Sequence, residues 1–357
     1  MTRQGKVFLV GAGPGDTGLL TVKALSLIRE ADLIVYDYLA NPEHLRFASP
    51  EAVKICVGKR FRHRVMTQEK INRIILTAAK KGKTVVRLKG GDPYLFGRGG
   101  EEALFLKKNR VAFEVVPGVT SATACAAYAG IPLTHRDHNA SVTFLTGHRA
   151  HDAHLDSIDW KKIVGLDGTL VIYMGFYNLA VISRRLMENG MRRDMPVAVI
   201  EWGTLPRQRS CEGTLSAIAD RVHEQGLKAP CIIIIGDVVS LRKDLNWYEK
   251  LPLFGKRVVI TRTRDKNSLF RERLERLGPE ILELPTIEIQ KPSSFRAMDR
   301  VIRRIGQFDW AVFTSAYGVQ AFFERLAALH KDARALAGVR VACVGPETAA
   351  ALAEKGI

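Results

Sequence analysis

The feature that most constrains this chain is the regular alternation of short apolar runs with helical patterns through its N-terminal part. Lys6–Val10, Leu33–Tyr36, Val53–Val57, Val85–Leu88 and Phe113–Val116 read as strands. Between them, Leu19–Glu30, Gln68–Lys81 and the stretch from Gly100 to Lys108 carry helical spacing; Ile71, Ile74, Ile75 and Ala78 share one face of the second. Strands separated by helices cannot pair as hairpins. They form an open, largely parallel α/β sheet, which gathers its chemistry at the carboxyl ends of the strands.

Each strand end is therefore a candidate place for chemistry. The first runs into Gly11-Ala-Gly-Pro-Gly-Asp16 and a helix, which invites a dinucleotide-binding reading. The spacing fails: Asp16 stands where the third glycine is needed, and Pro14 removes a backbone N–H. The second strand ends on Asp37, a candidate acid or base and equally a turn or capping carboxylate. The third ends at Gly58, followed by the basic run Lys59-Arg-Phe-Arg-His-Arg64. That run is a solvated loop or an anion-facing lid with Lys59 as a proton donor. The fourth opens the stretch TVVRLKGGDPYLFGRGGE, Thr84 to Glu101, in which Gly90, Gly91, Gly97, Gly99 and Gly100 surround Asp92-Pro93 and Tyr94, Leu95 and Phe96. Glycine admits close approach to a ligand and proline stiffens a turn, so this loop is more than a bare connection. After the fifth strand, Pro117–Thr120 leads into small residues, Ser121 to Ala129, where a helix can approach a neighbour closely.

The pattern restarts at Ser141. Val142–Leu145, Leu170–Met174, Val197–Ile200 and Cys231–Ile235 read as strands, Leu179–Glu188 and Thr214–Gln225 as helices. His148, His151 and His154 are regularly spaced, but they lie in a polar loop with no ligand pattern from another element, and no metal site is expected. Leu241–Leu253 reads as a linker. A third α/β pattern begins at Lys256 and stops at Gly356-Ile357, where another strand is due, so the sequence predicts a domain cut off in mid-fold.

The net charge of +17 favours polyanionic partners: nucleic acid, an anionic membrane, or a small polycarboxylate or phosphate. No nucleic-acid motif accompanies it, and the aromatics do not interleave with the basic runs. No apolar run approaches a membrane span of about 20 residues, and the N-terminus reaches glycines too early for a signal peptide. Scattered cysteines, at 56, 125, 211, 231 and 343, fit a reducing cytoplasm.

Taken in order, VFLVGAGPGDTGLLTVKAL, ADLIVYDYL, VGKR, GKTVVRLKGGDPYLFGRGGEE, FEVVPGVTSATACAAYAGIPLTHRD, SVTFLTGH, GTLVIYMG, MPVAVIEWGT and APCIIIIGDVVSLR resemble the uroporphyrinogen-III C-methyltransferases, within the tetrapyrrole methylase family. The resemblance covers residues 5–242. It implies two α/β domains, 1–140 and 141–245, each an open sheet, with the cofactor in the cleft between them. It implies methyl transfer from S-adenosyl-L-methionine to uroporphyrinogen III on rings A and B, giving precorrin-2 by way of precorrin-1 and releasing S-adenosyl-L-homocysteine. A cytoplasmic homodimer, with neither nucleic acid nor membrane as partner, is implied too. Matched residue by residue, Pro14, Gly90, Gly91, Asp92, Leu95, Thr120, Ser121, Met174 and Gly203 are expected to bind the cofactor, with Asp92 near its ammonium group. Asp37 matches the general base and Lys59 the proton donor. Arg60, Arg62, Arg64, Arg98, His135 and Arg136 are expected around the substrate carboxylates. Tyr38, Arg62 and Arg64 depart from the family pattern, and Ser121 replaces a usual Ala. A methylase acting on a later precorrin would use the same loops.

Beyond a linker at 246–255, residues 256–357 resemble the N-terminal part of the uroporphyrinogen-III synthases through VVITRTRDKNSLFRERLERLG, PTIEI, FDWAVFTSAYGVQAFFERL and VACVGPETAAALAEKGI. The match covers less than half of that family's length. It implies a fusion whose synthase part is truncated here and inactive alone.

Overall fold

A computed structural model describes residues 5–58, 66–147, 152–261 and 268–357. They divide into two compact units, Met1–Thr286 and Ile287–Ile357.

The first unit holds the alternating pattern. Strands β1 (Lys6–Gly11), β2 (Leu33–Tyr36), β3 (Val53–Cys56), β4 (Thr84–Lys89) and β5 (Ala112–Val116) form one sheet in the order β3-β2-β4-β1-β5. All its pairings are parallel, as expected. Helix α1 (Val22–Glu30) packs Ala24, Leu27 and Ile28 against Val10, Ile34, Val86 and Leu88 on one face. Helices α2 (Gln68–Lys80) and α3 (Gly99–Lys108) cover the other, with Ile71, Ile75, Ala103 and Leu106 on Val7, Leu9, Val35 and Val85. Each buried Leu or Ile is worth about 1.5–3 kcal/mol relative to exposure. The chain leaves β1 toward one edge of the sheet and β4 toward the other. A crevice opens at such a switch point, between the loops after β1 and β4.

Helix α4 (Ser121–Tyr128) leaves this sheet for the next one. Its small residues Ala122, Cys125 and Ala126 lie against Val171, Tyr173, Ala198, Ile200, Ile232 and Ile234. That second sheet is built from β6 (Val142–Thr146), β7 (Thr169–Tyr173), β8 (Pro196–Glu201), β9 (Arg209–Thr214) and β10 (Cys231–Ile235). The order is β6-β7-β10-β8-β9, with only β6 and β7 parallel. Its other face is covered by α5 (Trp160–Gly165), α6 (Leu179–Glu188) and α7 (Ile218–Glu224). Two readings are corrected here. The helix expected from Thr214 begins at Ile218, and β9 was not foreseen. β9 is an edge strand in which Cys211 alone is buried, so its sequence lacks an apolar alternation.

The stretch read as a linker is packed. Helix α8 (Arg242–Leu245) buries Arg242, whose Nη2 donates to Glu249 at 2.7 Å and Nη1 to Ala129 O at 3.1 Å. Tyr248 OH donates to Thr204 O at 3.1 Å, and Trp247 Nε1 to Ala127 O at 3.0 Å. Parallel strands β11 (Arg257–Ile260) and β12 (Glu280–Glu283) with α9 (Ser268–Glu275) complete this unit. Arg271 ties them down by donating to Glu43 at 2.6 Å and Glu275 at 2.7 Å.

The second unit pairs β13 (Trp310–Phe313) with β14 (Arg340–Cys343) in parallel, beside α10 (Arg296–Arg303), α11 (Ala316–Ala328) and α12 (Pro346–Ala353). Ile302, Phe313, Val319, Phe322, Leu326 and Leu352 form its core. Among the described residues no helix is long and apolar enough to cross a membrane.

Candidate active site

The loops after β1 and β4 are locked together backbone to backbone. Gly13 N donates to Gly91 O at 3.2 Å, and Gly91 N to Gly13 O at 2.7 Å. Gly91 sits at φ 66°, the left-handed region that glycine enters at no steric cost. At Gly118 a side chain would collide with the Gly91 carbonyl and Gly11, so three chain segments meet here only because they are bare. Asp16 carries the first loop across to the second sheet: its N donates to Thr204 Oγ1 at 3.0 Å and its Oδ2 accepts from Tyr128 OH at 2.6 Å.

Around this junction lies a cavity of about 550 Å³, of the size that holds small ligands. Every residue expected to bind the cofactor lines it: Pro14, Gly90, Gly91, Asp92, Leu95, Thr120, Ser121, Met174 and Gly203. They come from both sheets and from the N-terminus of α4. Asp92 is engaged by the loop itself. Its Oδ1 accepts from Tyr94 N at 2.7 Å and Leu95 N at 3.1 Å, and its Oδ2 from Gly118 N at 3.1 Å. Asp92 therefore shapes the loop whatever else it meets.

Several lining residues escaped the sequence reading. Tyr173 shares a hydrogen bond of 2.6 Å with Thr120 Oγ1, accepts from Ala122 N at 3.2 Å, and meets the Phe96 ring at a tilt, with centroids 4.9 Å apart. Trp202 lines the cavity with Arg207 3.7 Å over its ring. Phe96, Met174 and Trp202 all have positive φ, at 54°, 54° and 48°. Each costs about 1–2 kcal/mol, and such strain gathers at functional sites. Glycine follows each of them, at 97, 175 and 203, but does not occupy the left-handed position itself, so nothing in the sequence marked it. Cys125 and Cys231 also line the cavity, and burial pushes both thiols up to about 12. They are neutral at physiological pH and are not thiolate nucleophiles.

Asp37 does not line this cavity. It follows β2, two residues before Leu39, which does, and its side chain is 31% exposed. Behind it lie charges that a strand read as apolar concealed. Arg87 and Lys89 of β4 are buried, with Glu102 of α3 between them. Arg87 donates to Asp37 Oδ1 at 2.5 Å and to Glu102 Oε1 at 3.0 Å. Burial, reinforced by the Arg87 charge, lowers the pKa of the Lys89 ammonium. For Arg87 the cost of burial is outweighed by Asp37 and Glu102, and its pKa is raised.

Of the expected substrate contacts, Arg98, His135 and Arg136 lie outside the cavity. Arg98 is paired with Glu101 at 2.7 and 3.0 Å, His135 accepts from Asp137 N at 3.2 Å, and Arg136 is exposed. Lys59, Arg60, Arg62 and Arg64, like His148 and His151, lie outside the described residues. Among the described residues no group of His, Cys, Asp or Glu has the arrangement of a metal site.

Residues 6–219 match the model of the Tetrapyrrole (Corrin/Porphyrin) Methylases, and residues 268–357 that of Uroporphyrinogen-III synthase HemD. The chain is 42% identical over 353 residues to a porphyrin biosynthesis protein HemD of Ruminiclostridium josui, covering 99% of this chain and 70% of that one. It is 49% identical over 246 residues to a uroporphyrinogen-III C-methyltransferase of Bacillus subtilis, covering 69% of this chain and 95% of that one. Among solved structures it is similar to a uroporphyrin-III C-methyltransferase from Thermus thermophilus complexed with S-adenyl homocysteine. The TM-score is 0.56 with 37% identity, over 66% of this chain and 99% of that one.

Proposed function

Because the chain belongs to the tetrapyrrole methylases, we propose that it transfers methyl groups from S-adenosyl-L-methionine to carbons of uroporphyrinogen III. The observation that carries this is the convergence of glycine-rich backbone, the α4 N-terminus and both sheets on one cavity. The cavity suits the donor: it is large enough, bare backbone at Gly90 and Gly91 admits close contact, and Thr120 and Ser121 supply polar groups. When bound, the donor supplies a sulfonium methyl. The chain's own work is then largely positioning, since a carbon nucleophile must meet that methyl in line. Asp37 at the end of β2 takes the proton that the substrate loses, and Lys59 donates one. Pro14, Gly90, Gly91, Asp92, Leu95, Thr120, Ser121, Met174 and Gly203 hold the donor. Arg60, Arg62, Arg64, Arg98, His135 and Arg136 meet the eight carboxylates of the tetrapyrrole.

The finer reading is methylation on ring A, giving precorrin-1, then ring B, giving precorrin-2, by a cytoplasmic homodimer. We assign 1–140 and 141–245 as its two domains, 246–255 as the connection and 256–357 as a synthase part that is inactive alone. The unit Ile287–Ile357 supports the last point, because its two-stranded sheet leaves Trp310, Val312 and Val344 more than half exposed. Cyclisation of hydroxymethylbilane by this chain would refute it.

The test is incubation with methyl-labelled S-adenosyl-L-methionine and uroporphyrinogen III. Two labelled methyl groups per tetrapyrrole are expected. Label entering only a later precorrin, or none entering any ring-intact porphyrinogen, would overturn the reading.

A further inference from the structure

We propose that Arg87, Lys89 and Glu102 are positioning residues for Asp37, and that they leave Asp37 Oδ2 as the oxygen that takes the proton. The inference rests on the reading above, since it takes Asp37 as the proton acceptor.

The sheet register builds the group. Val35 lies opposite Arg87 and Tyr36 opposite Leu88, so Asp37 emerges beside Lys89. Its N–H donates to Leu88 O at 3.1 Å. Side chains alternate along a strand, so Arg87 and Lys89 point to the face covered by α2 and α3. There Glu102 meets them. The side chains of Arg87, Lys89 and Glu102 are 2%, 4% and 1% exposed, and Asp37 is the member that reaches the surface, at 31%.

Each contact leaves Asp37 less free. Arg87 Nε donates to Glu102 Oε1 at 3.0 Å, and its Nη1 donates to Val35 O at 3.4 Å and Leu88 O at 3.3 Å. Gln68 Nε2 donates to Glu102 Oε1 at 2.9 Å. The guanidinium is thus held from behind and aims Nη2 at Asp37 Oδ1, 2.5 Å away. Lys89 Nζ lies 3.2 Å from Glu102 Oε2, an ion pair without hydrogen-bond alignment. It lies 3.8 Å from Asp37 Oδ2, beyond hydrogen-bond reach. Oδ1 is therefore committed to Arg87, while Oδ2, beside a cation, accepts no hydrogen bond from the described residues.

Stability does not account for this group. Buried ion clusters are often no better than apolar packing of the same volume, which can gain about 1–4 kcal/mol. What an apolar replacement would lack is a rigid donor fork fixing the plane of one carboxylate. In the reaction, the C–S bond of the donor breaks with its electrons on sulfur. A ring carbon forms the new C–C bond from its own electron pair, and the substrate loses one proton, to Oδ2. Two cations and two carboxylates then become two cations and one carboxylate, which favours passing the proton onward to water.

The test is a mutant cycle on single-turnover methyl transfer, with Glu102→Gln, Asp37→Asn and the double variant. S-adenosyl-L-homocysteine affinity, measured by calorimetry, certifies the fold of each. Glu102 does not touch Asp37, so a positioning role predicts that Glu102→Gln lowers the rate about 10- to 100-fold, with KM for both substrates unchanged. In the Asp37→Asn background it should cost nothing further. An equal fold-loss in both backgrounds would overturn the proposal while leaving Asp37 as the base. Unchanged turnover in Asp37→Asn would instead sink the assignment of Asp37, and the proposal with it. Should Glu102→Gln fail to fold, Arg87→Lys keeps the charge, loses the fork and must show the same non-additivity.

Discussion

Replacing Gly91 with alanine separates ligand binding from folding at the centre of the site. The residue sits at φ 66°, and a β-carbon built on it would lie 3.7 Å from Ser121 N and 3.9 Å from Thr120 Cα. Those are ordinary contacts, so the methyl group does not collide with protein. The cost to folding is then the left-handed backbone alone, about 1–2 kcal/mol. The methyl group does enter the space between the loop and the α4 N-terminus, both of which line the cavity. Overfilling a packed site by one carbon costs about 1–3 kcal/mol, or about 5- to 150-fold in Kd. Gly190 supplies the control: it sits at φ 101° with nothing within 4 Å of a β-carbon, away from the cavity. Gly190→Ala should carry a backbone penalty with no loss of affinity. Calorimetric titration with S-adenosyl-L-homocysteine, beside urea denaturation, reads both terms. Gly91→Ala binding at the wild-type Kd would refute the placement of the ligand against this backbone. Gly91→Val, whose branched side chain fits left-handed backbone worst, should abolish binding.

His44 and Arg242 give two further outcomes. His44 is fully buried, and burial lowers its pKa from 6.5 to about 4. The folded state therefore holds it neutral; its contribution to stability is complete above pH 6.5 and is lost as pH falls toward 4, by roughly 3 kcal/mol in all. His44→Phe should flatten that part of the stability profile in urea titrations between pH 7.5 and 4.5; an unchanged slope would show that His44 does not carry it. Arg242→Met leaves the Glu249 carboxylate without its buried cation, and stability should fall by about 3–5 kcal/mol. A loss below about 1 kcal/mol would show the stretch 242–250 to be loosely attached.

The alternation of apolar and helical runs made the first sheet legible, because a parallel sheet buried on both faces needs continuous apolar strands. It also made the strand ends the place to look: the residues matched to the cofactor line one cavity, while Asp37 lies outside it and Lys59 lies outside the described residues. The second sheet was legible in four of its five strands. Its polar edge strand β9 has no apolar face to show, and nothing local reveals that β10 runs antiparallel to its neighbours. The charged group behind Asp37 was invisible for another reason. Arg87 and Lys89 are buried by a partner, Glu102, that lies on the next helix, and periodicity does not report which charges will meet across a fold. The left-handed backbone at Phe96, Met174 and Trp202 likewise belongs to tertiary context, since none of the three positions is itself glycine.

The most direct measurement is a crystal structure of the chain grown with S-adenosyl-L-homocysteine. The ligand is expected in the cavity between the two sheets, against the backbone of Gly90 and Gly91 and in contact with Thr120, Ser121, Met174 and Gly203. Ligand bound elsewhere on the chain, with this cavity filled by its own side chains, would contradict it.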